Sequence, residues 1–334
     1  MTAINFYQLK EKDKLSIFNE VAKKVPLPLA SIEKDWWVVQ TLDMVFQMEA
    51  APHLVFKGGT SLSKAWGLIE RFSEDIDLAL SREFLGYSGN ISRTQVGKLR
   101  DASFKYISET FLPELKELFY QKGIDDVKIE LIEVKTPDQD PVKIAINYTS
   151  ITQQSNYVPP RVVLEIGSRA MREPYTDKEF CSFVGAIFKE QAFADSNIII
   201  PCVNPERTYL EKLFLLHEEF QRPKEKIRVN RLSRHLYDIQ RISNTEFAKE
   251  AISNKALYTS IVEHRKHFSK LGGVDYTTHF PPQLNPFPPE ELLDQWERDY
   301  QDMQNEMIYG KSLSFVDLLE DLKRVVREIN GKIF

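Results

Sequence analysis

Residues Phe56–Leu80 read FKGGTSLSKAWGLIERFSEDIDLAL, and the reading of this stretch decides the fold. The apolar run Leu54–Phe56 reads as a strand and leads into the double glycine Gly58-Gly59. Thr60 and Ser61 are N-cap residue types, and helical spacing follows to about Ile69. From Ser73 to Leu78, acid and aliphatic residues alternate. Residues two apart share a face of a strand, so Asp75 and Asp77 point one way and Ile76 and Leu78 the other. Two carboxylates side by side repel, and a hard divalent cation with oxygen ligands removes that repulsion. A glycine turn that opens a helix presents backbone N–H groups, which bind phosphate oxygens. Gly58, Gly59, Thr60 and Ser61 are therefore candidates to hold a triphosphate, and Asp75 and Asp77 to hold metal. Phosphoryl chemistry needs both, because its catalysis is mostly positioning and charge neutralisation. Each half alone reads better as a tight turn, or as two solvated acids on an edge strand; their combination favours chemistry.

The 334 residues suffice for two modest cores, and the ordinary apolar and charged fractions (42% and 28%) exclude a largely disordered chain. Only two cysteines occur, Cys181 and Cys202, without metal-ligand spacing; both lie in apolar runs and read as buried free thiols of a reducing compartment. The N-terminal residues MTAINFYQLKEKDK lack an apolar signal core, and no run of eighteen apolar residues exists, so the expectation is a soluble cytoplasmic protein with no membrane partner. The net charge of −5 means that any nucleic-acid binding rests on a local patch.

Around this stretch the chain reads as α/β (α+β). Amphipathic helices are expected over 9–24 and from Ser31, the second with Ile32, Trp36, Val39, Leu42 and Phe46 on one face. Within it, Lys34 and Asp35 are secondary candidates to line the cleft, although helix packing explains the segment better. Residues 81–92 read as loop. A long helix over 94–122 should be kinked by Pro113 and ended by Gly123. Strands are expected at 127–134, 142–148, 161–167 and 198–203, with a turn at 137–141 and a further strand at 183–188. Glu165 is one acid among aliphatic and β-branched neighbours; buried alone it is costly, and it becomes reasonable if it faces the same cation as Asp75 and Asp77, or if it faces solvent.

From Pro205 the chain turns helical, with helices near 206–221, 229–243, 246–270, 288–308 and 313–329, so the expected domains are 1–200 and 201–334. On the helix at 206–221, Tyr209, Leu210, Leu213, Phe214 and Leu216 form a buried side and leave Lys212 on another face. On the helix at 229–243, Leu232, Leu236, Ile239 and Ile242 make an apolar stripe, and Arg231, Arg234, Asp238 and Arg241 a polar one. One acid among three arginines suggests an orienting ion pair rather than a metal site. The segment from Arg222 to His235 is the most cationic in the chain; Arg222, Lys224, Lys226, Arg228, Arg231 and Arg234 are candidate RNA contacts, though such a run also reads as a solvated loop. His217, His264 and His267 do not form a metal set, and the last two read as surface residues.

GGTSLSK followed by SEDIDL resembles the nucleotidyltransferase superfamily with a DNA-polymerase-β-like core. More narrowly, it is similar to the AbiEii/AbiGii toxin family of toxin–antitoxin and phage-defence systems. The resemblance covers roughly residues 30–245 through three separated motifs. It implies a nucleotidyltransferase core with a mixed sheet and flanking helices, followed by a helical C-terminal lobe. It assigns Gly59-Thr60 to the small-residue pair before the metal motif, Asp75 and Asp77 to that motif, and Glu165 to a third carboxylate. It assigns Lys212 in Glu211-Lys212-Leu213 and Asp238 in Arg234-His235-Leu236-Tyr237-Asp238 to the residues that complete the site. The resemblance further implies Mg²⁺, with Mn²⁺ as the alternative, an NTP substrate, the 3′ end of tRNA as acceptor, and a cognate antitoxin. A protein hydroxyl as acceptor, or a non-catalytic nucleotide- or RNA-binding protein of the same fold, are the competing readings.

Overall fold

The computed structural model describes residues 5–136, 138–153, 158–269 and 271–332. The first four residues of the N-terminal segment, and Pro137 of the expected turn, lie outside these. The chain divides into two compact units: Met1–Trp66 with Phe72–Val203, and Gly67–Arg71 with Asn204–Phe334.

In the first unit, α1 (Glu11–Ala22) and α2 (Leu29–Val45) precede β1 (Leu54–Lys57), α3 (Gly58–Lys64) and β2 (Asp75–Leu80). Helices α4 (Arg93–Tyr106) and α5 (Leu112–Gln121) lead to β3 (Lys128–Ile132), β4 (Val142–Asn147) and β5 (Arg161–Gly167). Strand β6 (Tyr175–Phe180), helix α6 (Phe183–Ile187) and strand β7 (Ile198–Val203) complete it. The strands form one mixed seven-stranded sheet in the order β3-β4-β5-β2-β1-β7-β6. β2 runs parallel to β5 and β1 parallel to β7, while the other neighbours are antiparallel. β2 is thus the central strand, which removes the reading of its acids as an edge decoration.

Several local expectations change. The helix after Gly58-Gly59 starts at Gly58 itself and ends at Lys64, with Thr60 and Ser61 buried inside it rather than capping it. It stops short of Ile69: the chain leaves the helix at Ala65 and then takes a left-handed φ of +62° at Gly67. Helix α2 is buried nearly all round instead of on one face, since α1, α5, α6, β2 and β5 all pack against it. Residues 183–187 are helix α6, not a strand, because Ser182 caps its start by accepting from the Gly185 N–H; β6, not expected from the sequence, supplies the edge strand beside β7. The long helix over 94–122 is split by a π-turn at Ile107–Phe111, after which Pro113 sits in the first turn of α5, where its missing N–H costs nothing. Cys202 is buried as expected, whereas Cys181 is half-buried; both are free.

The second unit holds α7 (Pro205–Phe220), α8 (Ser233–Ser243), α9 (Glu246–Ser253), α10 (Lys255–Phe268), α11 (Leu293–Glu306) and α12 (Phe315–Asn330). The expected helix over 246–270 is two helices, broken at Asn254, whose side chain caps α10 by accepting from Leu257 N. α8 starts at Ser233 rather than 229, because Arg231 takes φ +60° and Asp299 of α11 accepts the Arg231 and Ser233 N–H groups. Gly67–Arg71 is sewn into this unit: the Glu70 carbonyl accepts from Tyr309 N at 3.0 Å, and Glu70 N donates to the Tyr237 hydroxyl at 3.2 Å. Among the described residues no helix is long and apolar enough to cross a membrane.

Candidate active site

The alternation read in SEDIDL holds in β2: Ile76 and Leu78 are fully buried, while Asp75 and Asp77 are half-buried on the opposite face. Register then builds a transverse row across four strands. Lys57 of β1 pairs with Asp77, Asp77 with Glu165 of β5, and Glu165 with Lys143 of β4. Residues directly opposite on neighbouring strands share a face, a few ångströms apart, so Glu165 lies beside Asp77 on the face that carries both aspartates. Lys143 Nζ is 3.0 Å from Glu165 Oε1 and 2.9 Å from Glu133 Oε2. Burial works against the Lys143 charge, yet its hydrogen bonds to Glu133 and Glu165 outweigh that and raise its pKa.

The turn before β2 is shaped around these acids. Gly58 sits at φ +79°, and its missing Cβ leaves the space that the Asp77 carboxylate occupies. The Thr60 hydroxyl donates to the Asp75 carbonyl, which fixes the first turn of α3 to the start of β2. No side chain caps α3, so its opening N–H groups have no partner within the helix.

The donor set Asp75, Asp77 and Glu165 suits a hard divalent cation, which takes carboxylate oxygens, and the cradle at Gly58 gives the Asp77 carboxylate its room. Among the described residues, however, no three His, Cys, Asp or Glu side chains already converge as a metal shell. Glu165 Oε1 is held by Lys143.

In the second unit, Asp238 of α8 is fully buried. It accepts Arg71 Nε on Oδ1 and Arg71 Nη2 on Oδ2, both at 2.7 Å, and Lys212 Nζ lies 2.9 Å from Oδ2. Burial alone would raise the Asp238 pKa; Arg71 and then Lys212 outweigh it and hold the carboxyl well below the usual range. Lys212 is buried, not on a separate polar face, and burial lowers its pKa despite Asp238. Burial, and then Lys212, push the His235 pKa well below its ordinary value, and its Nδ1 lies 3.4 Å from Lys212 Nζ. Sequence reasoning missed Arg71 and expected the arginines of α8 beside Asp238. Arg241 instead pairs with Glu70 at 2.9 Å. The one available signal was that Arg71 is the sole basic residue between Lys64 and Arg82.

The cationic segment is partly neutralised. Glu219 takes both Arg228 (2.6 Å) and Arg222 (3.0 Å), and Lys224 is 3.0 Å from Glu291. Lys226 is exposed, and Arg231 and Arg234 are half-buried. His217 is buried, facing Thr278 Oγ1 at 2.9 Å and Asn285 N at 3.0 Å, while His264 stacks on Phe268.

Residues 42–324 match the family model described as nucleotidyl transferase AbiEii toxin, type IV TA system. No curated protein matches the chain. Among solved structures, MenT4, a nucleotidyltransferase toxin from Mycobacterium tuberculosis H37Rv, shares the fold at 16% sequence identity and a TM-score of 0.51, with 97% of each chain covered. A sheet with its acids on the central strand and a family match over most of the length lead to one assignment: the chain belongs to the AbiEii family of nucleotidyltransferase toxins of type IV toxin–antitoxin systems.

Proposed function

We propose that this protein is a divalent-metal-dependent transferase that moves NMP from an NTP to the 3′ end of tRNA in the cytoplasm, releasing pyrophosphate. The observation that carries the reading is the row Lys57–Asp77–Glu165–Lys143, which sets carboxylates side by side between two lysines. Asp75 and Asp77 would hold Mg²⁺, or Mn²⁺ in its place, with Glu165 joining them. The metal, when bound, supplies charge neutralisation at the phosphates and at the attacking and leaving oxygens. The Gly58–Ser61 backbone would hold the triphosphate. Glu165 also has the chemistry to take the proton of an acceptor hydroxyl. Lys212 would neutralise phosphate charge, with Asp238 orienting it. Lys224, Lys226, Arg231 and Arg234 would contact RNA, with Arg228 largely committed to Glu219.

The tRNA acceptor and the cognate antitoxin rest on the family. A labelled-NTP assay with bulk RNA and bulk protein as competing acceptors tests the reading. Label on the 3′ end of tRNA supports it; label on protein moves the acceptor to a side-chain hydroxyl; no label on either, with nucleotide bound, leaves a binding protein.

A further inference from the structure

Three consecutive charged residues of α2, Glu33, Lys34 and Asp35, are buried, each at most 3% exposed. Neighbouring side chains on a helix leave it in different directions, so the three reach different parts of the first unit. Glu33 accepts from Ser150 Oγ at 2.6 Å, Ile151 N at 3.0 Å and Thr152 Oγ1 at 2.6 Å. Lys34 Nζ lies 2.6 Å from Glu74 Oε2 and donates to the Pro159 carbonyl at 3.1 Å. Asp35 Oδ1 lies 2.7 Å from Lys64 Nζ, and Oδ2 accepts from Phe183 N at 2.7 Å.

These partners are placed where the site needs them. Glu74 immediately precedes Asp75, and Pro159 lies just ahead of β5, which carries Glu165. Lys64 is the last residue of α3, whose first turn is Gly58–Ser61. Glu74 is the residue just ahead of β2, so Lys34 holds the chain where it enters that strand. We infer that Lys34 and Asp35 are positioning residues for nucleotidyl transfer. Lys34 fixes the two carboxylate strands relative to each other, and Asp35 fixes the helix that carries the phosphate-binding turn; the inference rests on the site assigned above.

A buried ion pair is weak evidence for added stability. Replacing a buried pair with apolar residues of similar volume is often neutral or stabilising, and the attested benefit of such pairs is a defined register. Removing such a clamp is therefore expected to spare the fold and disturb the geometry.

The test compares two double variants in the full chain, each removing both members of a described pair: Lys34→Met with Glu74→Met, and Asp35→Asn with Lys64→Met. Melting temperature, amide hydrogen exchange, and kcat and KM for NTP are measured on each. Both should melt within about 5 °C of wild type. The Lys34/Glu74 variant should lose about 100-fold in kcat, the scale of a 1 Å misplacement, with KM nearly unchanged and faster exchange in 75–80 and 161–167. The Asp35/Lys64 variant should instead raise KM by about tenfold, a loss of ground-state binding, with faster exchange confined to 58–64. Wild-type exchange and turnover in both variants would overturn the inference, and so would turnover lost only in proportion to unfolded protein. If wild-type protein labels no acceptor, the transfer reading fails by itself, and the exchange pattern still decides whether the clamp exists.

Discussion

Gly58 holds its Cα against the carboxylate of Asp77: a Cβ on Gly58 would lie 1.9 Å from Asp77 Oδ2 and 2.8 Å from Cγ. Its φ of +79° adds a strain that side chains avoid. Gly58→Ala should therefore act twice. The left-handed conformation costs about 1–2 kcal/mol, visible as a fall of several °C in melting temperature. The larger effect is on chemistry, because the methyl displaces Asp77, and turnover should fall about 100-fold. Gly86→Ala, at φ +85° but with open space around it, is the control that carries strain without the clash; equal loss of turnover in both variants would mean that contact with Asp77 is irrelevant.

Asp75→Asn and Asp77→Asn keep side-chain shape and remove a charge from the central strand. Turnover should fall by at least about 1,000-fold, on the scale of losing a principal electrostatic contributor. The circular dichroism spectrum should stay unchanged, and activity should vanish in excess chelator and return with Mg²⁺. Full activity in chelator would separate these residues from any metal.

Asp238 neutralises two buried cations, so Asp238→Asn should destabilise the protein by about 3–5 kcal/mol, the cost of breaking a buried pair from one side. Urea unfolding measures this. The lowered Asp238 pKa sets the sign with pH: its stabilisation is fully present above the ordinary carboxylate value and is lost as pH falls toward the lower folded one. Wild type and variant should therefore converge in stability progressively as pH falls below about 4. Arg71→Met should mimic the variant in part, since Lys212 remains on Asp238.

His217 is held down to about 4, first by burial and then by His279, against an ordinary value of 6.5. In its neutral form one nitrogen accepts from Asn285 N, and the other has Thr278 Oγ1 as partner. The folded state resists the proton that the unfolded chain takes up, so stability falls as pH drops from 6.5 toward 4. The loss from this residue is on the order of 3 kcal/mol, at 1.36 kcal/mol per pKa unit. Denaturant melts at pH 7 and pH 5 should show it, and His217→Gln should flatten the slope between them.

For the RNA reading, Lys224→Ala with Lys226→Ala is the informative pair, because removing Arg228 would also strip a partner from buried Glu219. Each phosphate contact contributes about 0.7–0.9 to the slope of log affinity against log salt. The double variant should flatten that slope by about 1–2 and leave NTP affinity unchanged. An unaltered slope with weaker NTP binding would assign these lysines to the nucleotide.

The sequence by itself determined the strand–turn–helix–strand unit, because two-residue alternation in SEDIDL and the double glycine are local signals that tertiary context did not override. β5 was legible for the same reason, as a short run of β-branched and aliphatic residues. The central place of β2 was not legible, since strand order depends on which strands pair at a distance. Nor was the company of Glu165: Lys143 stands opposite it only because β4 and β5 pair in one particular register, which no spacing along the chain encodes. The partners of the buried charges were the least legible part. Asp238 reads as one half of an ion pair and the segment of Lys34 and Asp35 as packed helix, but a charge is buried only where a partner awaits it, and the sequence does not name that partner. Those partners, Glu74, Lys64 and Arg71, lie 29 to 167 residues away. Secondary structure comes from neighbours in sequence; the ion pairs of a buried site come from neighbours in space, and only the folded chain brings those together.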